Sequence, residues 1–136
     1  MLVHDLREIL NQSSSQVQLS AAVFADYRSD PTRGTKCQDW QSWVQGDLLD
    51  FLTPMCYGLT SVQRKAEIRE TLKYSKIPVM AGIAINHIDT PRELHRYYQE
   101  VRNHPIQGIV WFAYNWRKPF FLPTLKESIY SPRPTH

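Results

Sequence analysis

Residues able to do chemistry gather just behind four apolar runs of the chain. Asp26 and Tyr27 follow the first, Met55 and Tyr57 close the second, Asn86 and His87 follow the third, and Tyr114, Asn115 and Trp116 follow the fourth. Aromatic rings mixed with amide and hydroxyl groups suit sugars, whose C–H faces stack on rings while their hydroxyls need paired hydrogen bonds. The set therefore predicts a carbohydrate ligand lined by Tyr57, Met55, Asn86, His87, Tyr114, Asn115 and Trp116, with Asp26 as the candidate catalytic carboxylate. Tyr57 leads the group. Leu49, Phe51, Thr53, Met55 and Tyr57 share one strand parity, so if Met55 faces an interior, Tyr57 points into its mouth. The alternative for Tyr57 is a ring that caps the core with its hydroxyl wet.

Cleavage of a glycosidic bond normally takes two carboxyl groups, about 5–5.5 Å apart for retention and wider for inversion. Such a pair is not visible in the sequence. Asp50 opens the second apolar run and belongs at the opposite end from the candidate site. Asp39 sits at a helix start, where it favours the dipole. Both read as structural, and Asp89 reads as a turn residue. Cys37 and Cys56 lie nineteen positions apart without CxxC spacing, and the five histidines are scattered, so neither a metal, a cofactor nor a disulfide framework is expected. A net charge of +3, from 16 Lys and Arg against 13 Asp and Glu, is spread over three helical stretches instead of one face, which argues against nucleic acid as a partner.

Those positions need a scaffold, and the periodicities outline one. Leu2, Val3, Leu6, Ile9 and Leu10 recur at helical spacing and predict one apolar face of an opening helix that stops within Asn11–Ser15. Val17–Phe24, Leu48–Pro54, Ile77–Ile85 and Gly108–Phe112 are strand-length runs without strict alternation, the pattern of parallel strands buried on both faces. Pro54 is tolerable at a strand end, and Gly82 marks a bulge or a close approach.

Between the runs, Asp26–Thr35 reads as a loop, and Thr35 and Gln38 have capping-box spacing. Trp40, Trp43 and Val44 are packing anchors of a short helix for which Gly46 is the left-handed stop. Thr60–Tyr74 is a helix with Val62 and Ala66 in one row, Ile68 and Leu72 in another. Thr90, Pro91 and Glu93 combine a cap, a first-turn proline and a capping-box acid, followed by Leu94, Tyr97, Tyr98 and Val101. Residues 1–118 thus form one α/β unit, and Pro119–His136 is a Pro-rich, mostly irregular tail.

Strands alternating with helices imply a parallel sheet with right-handed crossovers. Four strands make either a small open sheet, flavodoxin-like, or half of a closed barrel. The 136 residues, 42% hydrophobic, can bury a sizeable core. An eight-stranded β/α barrel needs about 250 residues, so this length fits half of one. A half-barrel exposes two strand edges and an apolar inner face, so its expected partners are the N-terminal half-barrel or a second copy. Charges interrupt the apolar N-terminus at every turn, which excludes a signal peptide or a membrane span there. As written the chain belongs in the cytoplasm; an upstream start would allow the envelope or the exterior.

Four segments carry a family resemblance: Ser20-Ala21-Ala22-Val23-Phe24; Gln38-Asp39-Trp40 with Trp43; Gly46 to Asp50; and Pro54-Met55-Cys56-Tyr57. In that order and spacing they resemble the glycosyl-hydrolase-like 10 family. That family is similar to other barrel hydrolases of retaining type, including the chitinase-like family, whose sixth strand also ends in Met-x-Tyr. The resemblance extends to about Trp116 and implies that the four runs are barrel strands five to eight, the C-terminal half of a TIM-type barrel. It implies hydrolysis of O-glycosidic bonds by the intact barrel. The acid-base carboxylate of the resembling families ends strand four, which would precede Met1. The half in hand is then expected to be inactive alone, or to serve as a non-catalytic carbohydrate-binding module. Ala25–Cys37 departs from the family, which more often has a shorter Pro-containing turn there.

Overall fold

The computed structural model describes residues 2–13, 16–25, 38–113 and 118–130. In chain order these form α1 (Leu2–Gln12), β1 (Ser20–Phe24), α2 (Trp40–Gln45), β2 (Phe51–Met55), α3 (Ser61–Tyr74), β3 (Met80–Ala84), α4 (Pro91–Arg102), β4 (Gly108–Phe112) and α5 (Phe121–Tyr130). The chain is α/β: a four-stranded, all-parallel sheet in the order β1-β2-β3-β4, its strands alternating with helices. The order runs straight through, with no point at which it reverses as in a doubly wound sheet.

Register assigns each residue to a face. Ala21 pairs with Leu52 and Val23 with Pro54; Leu52 meets Val79; Ala81 pairs with Ile109 and Ile83 with Trp111. These positions share one face, and every helix packs on it. At one end Val23, Leu49 and Leu52 enclose Trp40 and Val44 of α2, with Val3 of α1 alongside. At the other, Cys56, Ala81, Ile83 and Ile85 enclose Ile68 of α3, Leu94, Tyr97 and Val101 of α4, and Phe121 and Leu125 of α5. The opposite face carries Phe24, Phe51, Thr53, Met55, Met80 and Val110, none of which belongs to either cluster. Expected burial of the strands on both faces is therefore corrected: among the described residues one face is covered and the other is open.

The two core clusters meet at a weak seam. The β1–β2 register is continuous from Ser20↔Phe51 to Phe24↔Met55, whereas β2 and β3 are in register at Met55↔Gly82 with an isolated bridge at Leu52↔Val79. Leu52 N–H donates to Pro78 O (2.9 Å) and Cys56 N–H to Gly82 O (2.8 Å). The alternation of a parallel ladder turns residue 54 the same way, but a proline has no N–H to give. Pro54 thus lies inside a central strand, not at its end, and interrupts the ladder. Gly82 answers it by close approach: a Cβ there would stand 2.9 Å from Pro54 O.

Local signals explain most helix ends. At α4, Thr90 accepts from Glu93 N–H (3.2 Å), Glu93 accepts from Thr90 N–H (3.1 Å), and Pro91 opens the first turn. Thr60 and Gln63 form the same box on α3. Helix α2 is different. Asp39 is its N-cap, Gln38 precedes the helix, and Thr35 lies outside the described residues. Gly46 has φ −83, and the left-handed residue is Asp47, with φ 54. Leu48 N–H then reaches Trp43 O (2.9 Å) and Asp47 N–H reaches Val44 O (3.2 Å), a Schellman ending shifted one residue on.

Three expectations about helix faces change. On α3 the inward row is Arg64, Ile68 and Thr71, while Val62 and Ala66 face out. Residues Phe121–Tyr130 are helical instead of irregular; Pro123 falls in the first turn, where no intrahelical N–H bond is lost. That helix docks on α4 through Ser128, whose Oγ lies 2.9 Å from His95 Nδ1, and Phe121 meets Trp111 edge-on at 5.5 Å. On α1 nothing is fully buried, and Leu2, Leu6 and Ile9 remain exposed. No helix among the described residues is long and apolar enough to cross a membrane.

Asp50 closes the bottom of the sheet. Its Oδ2 accepts from Leu19 N–H (2.6 Å) and from Arg7 Nη2 (2.8 Å), while Arg7 Nε donates to Leu48 O (2.9 Å). Those bonds, the Leu19 N–H first, hold the carboxyl below its ordinary value of 3.8. A lowered folded-state pKa gives stability that is fully present above the unfolded value and lost as pH falls through the folded one. Urea midpoints measured from about pH 5 down to pH 2 should therefore fall less steeply for Asp50→Asn than for the wild type. Parallel acid limbs in the two proteins would exclude this role.

Candidate functional site

The C-terminal ends of the four strands share one side of the sheet. Tyr57 follows β2 in the same parity as Met55, and its ring stacks on Phe112 at the end of β4, with centroids 5.9 Å apart and planes 18° from parallel. The register puts Ala84 of β3 between them. A small residue at that position leaves room for two rings from non-adjacent strands to meet. Phe112 is 55% exposed, so this aromatic pair is a surface feature on the open face.

Beside it lies a cavity of about 640 Å³ lined by Phe24, Met55, Tyr57, Gln63, Glu67 and Glu70, among others. Three elements build it. Strands β1 and β2 supply Phe24 and Met55, and the turn at Gly58 brings the first turns of α3 back over the strand end. Gly58 is needed there, because a Cβ would lie 2.6 Å from Gln63 Cβ and 3.0 Å from Arg64 N. Glu67 Oε2 accepts from Gly58 N–H at 3.0 Å and fixes the turn. Under the turn is Arg64, whose Nη1 donates to Gly58 O (3.0 Å) and Leu59 O (3.1 Å). Tyr57 is thus held by a turn that is itself pinned from below.

Electrostatics keep the aromatic wall neutral. Burial, then the neighbouring Cys56, raises the Tyr57 hydroxyl above its ordinary 10.0, so it remains a donor at neutral pH. Burial pushes the Cys56 thiol up as well, with Glu67 adding to the effect. A protonated, enclosed thiol is no nucleophile. Two carboxylates, an amide and a phenol around an apolar floor can receive and donate hydrogen bonds to a polyhydroxylated ligand.

Asp26, Tyr27, Tyr114, Asn115 and Trp116 lie outside the described residues. Asn86 and His87 are exposed in the turn after β3 and do not line the cavity. That turn is fastened by Lys118, whose Nζ donates to Ile85 O (3.0 Å), Asn86 O (3.3 Å), Ile88 O and Asp89 Oδ1 (3.0 Å). His4, Asp5 and Glu8 come within reach of one another on exposed α1, with His4 Nδ1 at 3.8 Å from each acid, beyond hydrogen-bond distance.

Phe112, Gln63, Glu67 and Glu70 were not among the sequence candidates. Glu67 and Glu70 share a helix face by their i, i+3 spacing, and Phe112 ends a strand at the level of Tyr57; parity and periodicity contain both signals once the strand order is known. Compared with known proteins, the chain matches no family model, no curated protein and no solved structure.

Proposed function

We propose that this chain is one half, strands five to eight in barrel order, of a glycoside-hydrolase-like β/α barrel, and that it binds carbohydrate at the mouth around Tyr57. The observation that carries the reading is the Tyr57–Phe112 stack on an open sheet face, next to a cavity with two carboxylates and an amide. Barrel enzymes build their sites at this end of the strands, and the straight strand order with every helix on one face agrees with half of such a barrel. The resemblance to the glycosyl-hydrolase-like 10 family points the same way. In this reading the aromatic wall and the Gln63 amide orient a sugar, while the chain itself does not supply the proton donor for cleavage.

Titration calorimetry with a panel of oligosaccharides tests the proposal. Saturable binding is expected for at least one glycan, weakened about tenfold or more by Tyr57→Ala, the scale of one lost ring contact with its hydroxyl. The chain alone is expected to release no sugar from the same panel. Absence of binding across the panel, or binding that Tyr57→Ala leaves intact, removes the reading; hydrolysis by the chain alone removes the missing-donor part.

A further inference from the structure

Large apolar side chains that stay strongly exposed gather at the two ends of the sheet. Of eleven such residues among the described ones, nine belong to α1, the β1 segment, β4 or α5, the others being Leu59 and Val62. Leu6 and Ile9 run along α1, Phe24 closes β1, Val110 and Phe112 stand on the open face of β4, and Ile129 lies on α5. Exposure scattered singly over a monomer needs no explanation, but exposure concentrated on edges and one face marks an interface. With about half of each side chain exposed, nine residues of on the order of 150–200 Å² present on the order of 800 Å², the area each partner of a standard interface buries.

The strand edges fit the same occupant. β1 and β4 run in one direction at opposite ends of the sheet, and among the described residues no further strand pairs with either. We propose that a second copy of this chain covers the open face, with β4 of each copy pairing in parallel with β1 of the other about a two-fold axis along the strands. Each edge then meets its complement, so the assembly closes at two copies. The stripe on α1 faces the stripe on α5 of the other copy. The two Tyr57–Phe112 stacks line one mouth from opposite sides, so the sugar site is incomplete in a single chain. The inference rests on the half-barrel part of the function proposed above.

On the β1 edge the pairing displaces a side chain. Phe24 N–H donates to Gln38 Oε1 (2.9 Å) and Gln38 Nε2 donates to Ala22 O (3.5 Å). The amide occupies the place of a neighbouring strand, as edge protection commonly does. A β4 main chain offers the same acceptor and donor and replaces the amide bond for bond.

Sedimentation equilibrium of the full chain tests the pairing. The wild type is expected at twice the 16.0 kDa chain mass. Ile9→Glu combined with Ile129→Glu changes positions that are exposed in the single chain and outside its core. That variant is expected to weaken the pair about 100-fold or more while circular dichroism stays unchanged. Val62→Glu, on the central α3, is expected to change neither. A wild type still monomeric at about 100 µM, growth beyond two copies, or Val62→Glu acting as strongly as the edge variant each overturns the proposal. So does a chain that pairs with a different polypeptide and not with itself. The glycan titration reads separately: a dimer that binds no sugar removes the ligand and keeps the pairing, and a sugar-binding monomer does the reverse.

Discussion

Replacing Arg64 with methionine is expected to cost the folded state about 3–5 kcal/mol, read as a large fall in the urea midpoint. Arg64 and Glu100 leave 3% and 7% of their side chains exposed, with Nη2 3.3 Å from the carboxylate, between α3 and α4. The guanidinium lies 3.7 Å over the Tyr97 ring and gives two hydrogen bonds to the Gly58–Leu59 turn. Methionine keeps most of the apolar stem but leaves Glu100 as a buried, uncompensated charge and two carbonyls without a donor. Loss of one partner is the costly case; loss of both is not. The double variant Arg64→Met/Glu100→Leu is therefore expected to recover most of the difference. Arg64→Lys is expected to recover little, since a point charge cannot reach turn and carboxylate together. Because the same turn carries Tyr57, Arg64→Met should also weaken any glycan bound there. A midpoint within about 1 kcal/mol of the wild type would mean that water reaches the pair and that the turn holds itself.

Arg64 also shows where sequence reading stops. Helix α4 was legible from Thr90, Pro91 and Glu93 because cap, proline and acid act within one turn and need no tertiary partner. Helix α3 was legible as a helix but not in its facing. Its inward row holds an arginine and a threonine, whose burial depends on Glu100 and Tyr97 in another element. Pro123 disguised α5, since a proline breaks a helix anywhere except where the first turn lacks partners. Gly46 looked like the left-handed residue because glycine is the usual one, yet Asp47 adopts it when the chain turns one residue later. At the site, parity alone set Tyr57 beside Met55. Phe112 reached Tyr57 through the strand order and the smallness of Ala84, and Glu67 and Glu70 through the return of α3 over Gly58. Those depend on three-dimensional placement that no local signal encodes.

Trp40→Ala is expected to cost about 3–5 kcal/mol, and the loss should fall unevenly across the sheet. Trp40 is 1% exposed and fills the cluster with Val23, Val44, Leu49 and Leu52; Trp43, half-buried at its rim, should cost distinctly less when truncated. Helix α2 has six residues and no side-chain cap, too short to persist without that packing. The β1–β2 ladder is continuous and β3–β4 is continuous, but Pro54 removes one of the bonds that would tie one pair to the other, leaving those at Leu52 and Cys56. Damage to the Trp40 cluster should therefore stop at the seam. Hydrogen exchange of Trp40→Ala is expected to show early loss of protection at β1 and β2 amides such as Val23 and Leu52, with Ile83 and Val110 still protected. Pro54→Ala in the Trp40→Ala background restores an N–H toward β3 and should couple the two halves again, spreading the loss more evenly. Uniform exchange in Trp40→Ala itself would show that the sheet unfolds as one unit despite the missing bond, and that the covered face, with Ile68 and Cys56 packed across the β2–β3 boundary, carries the cooperativity.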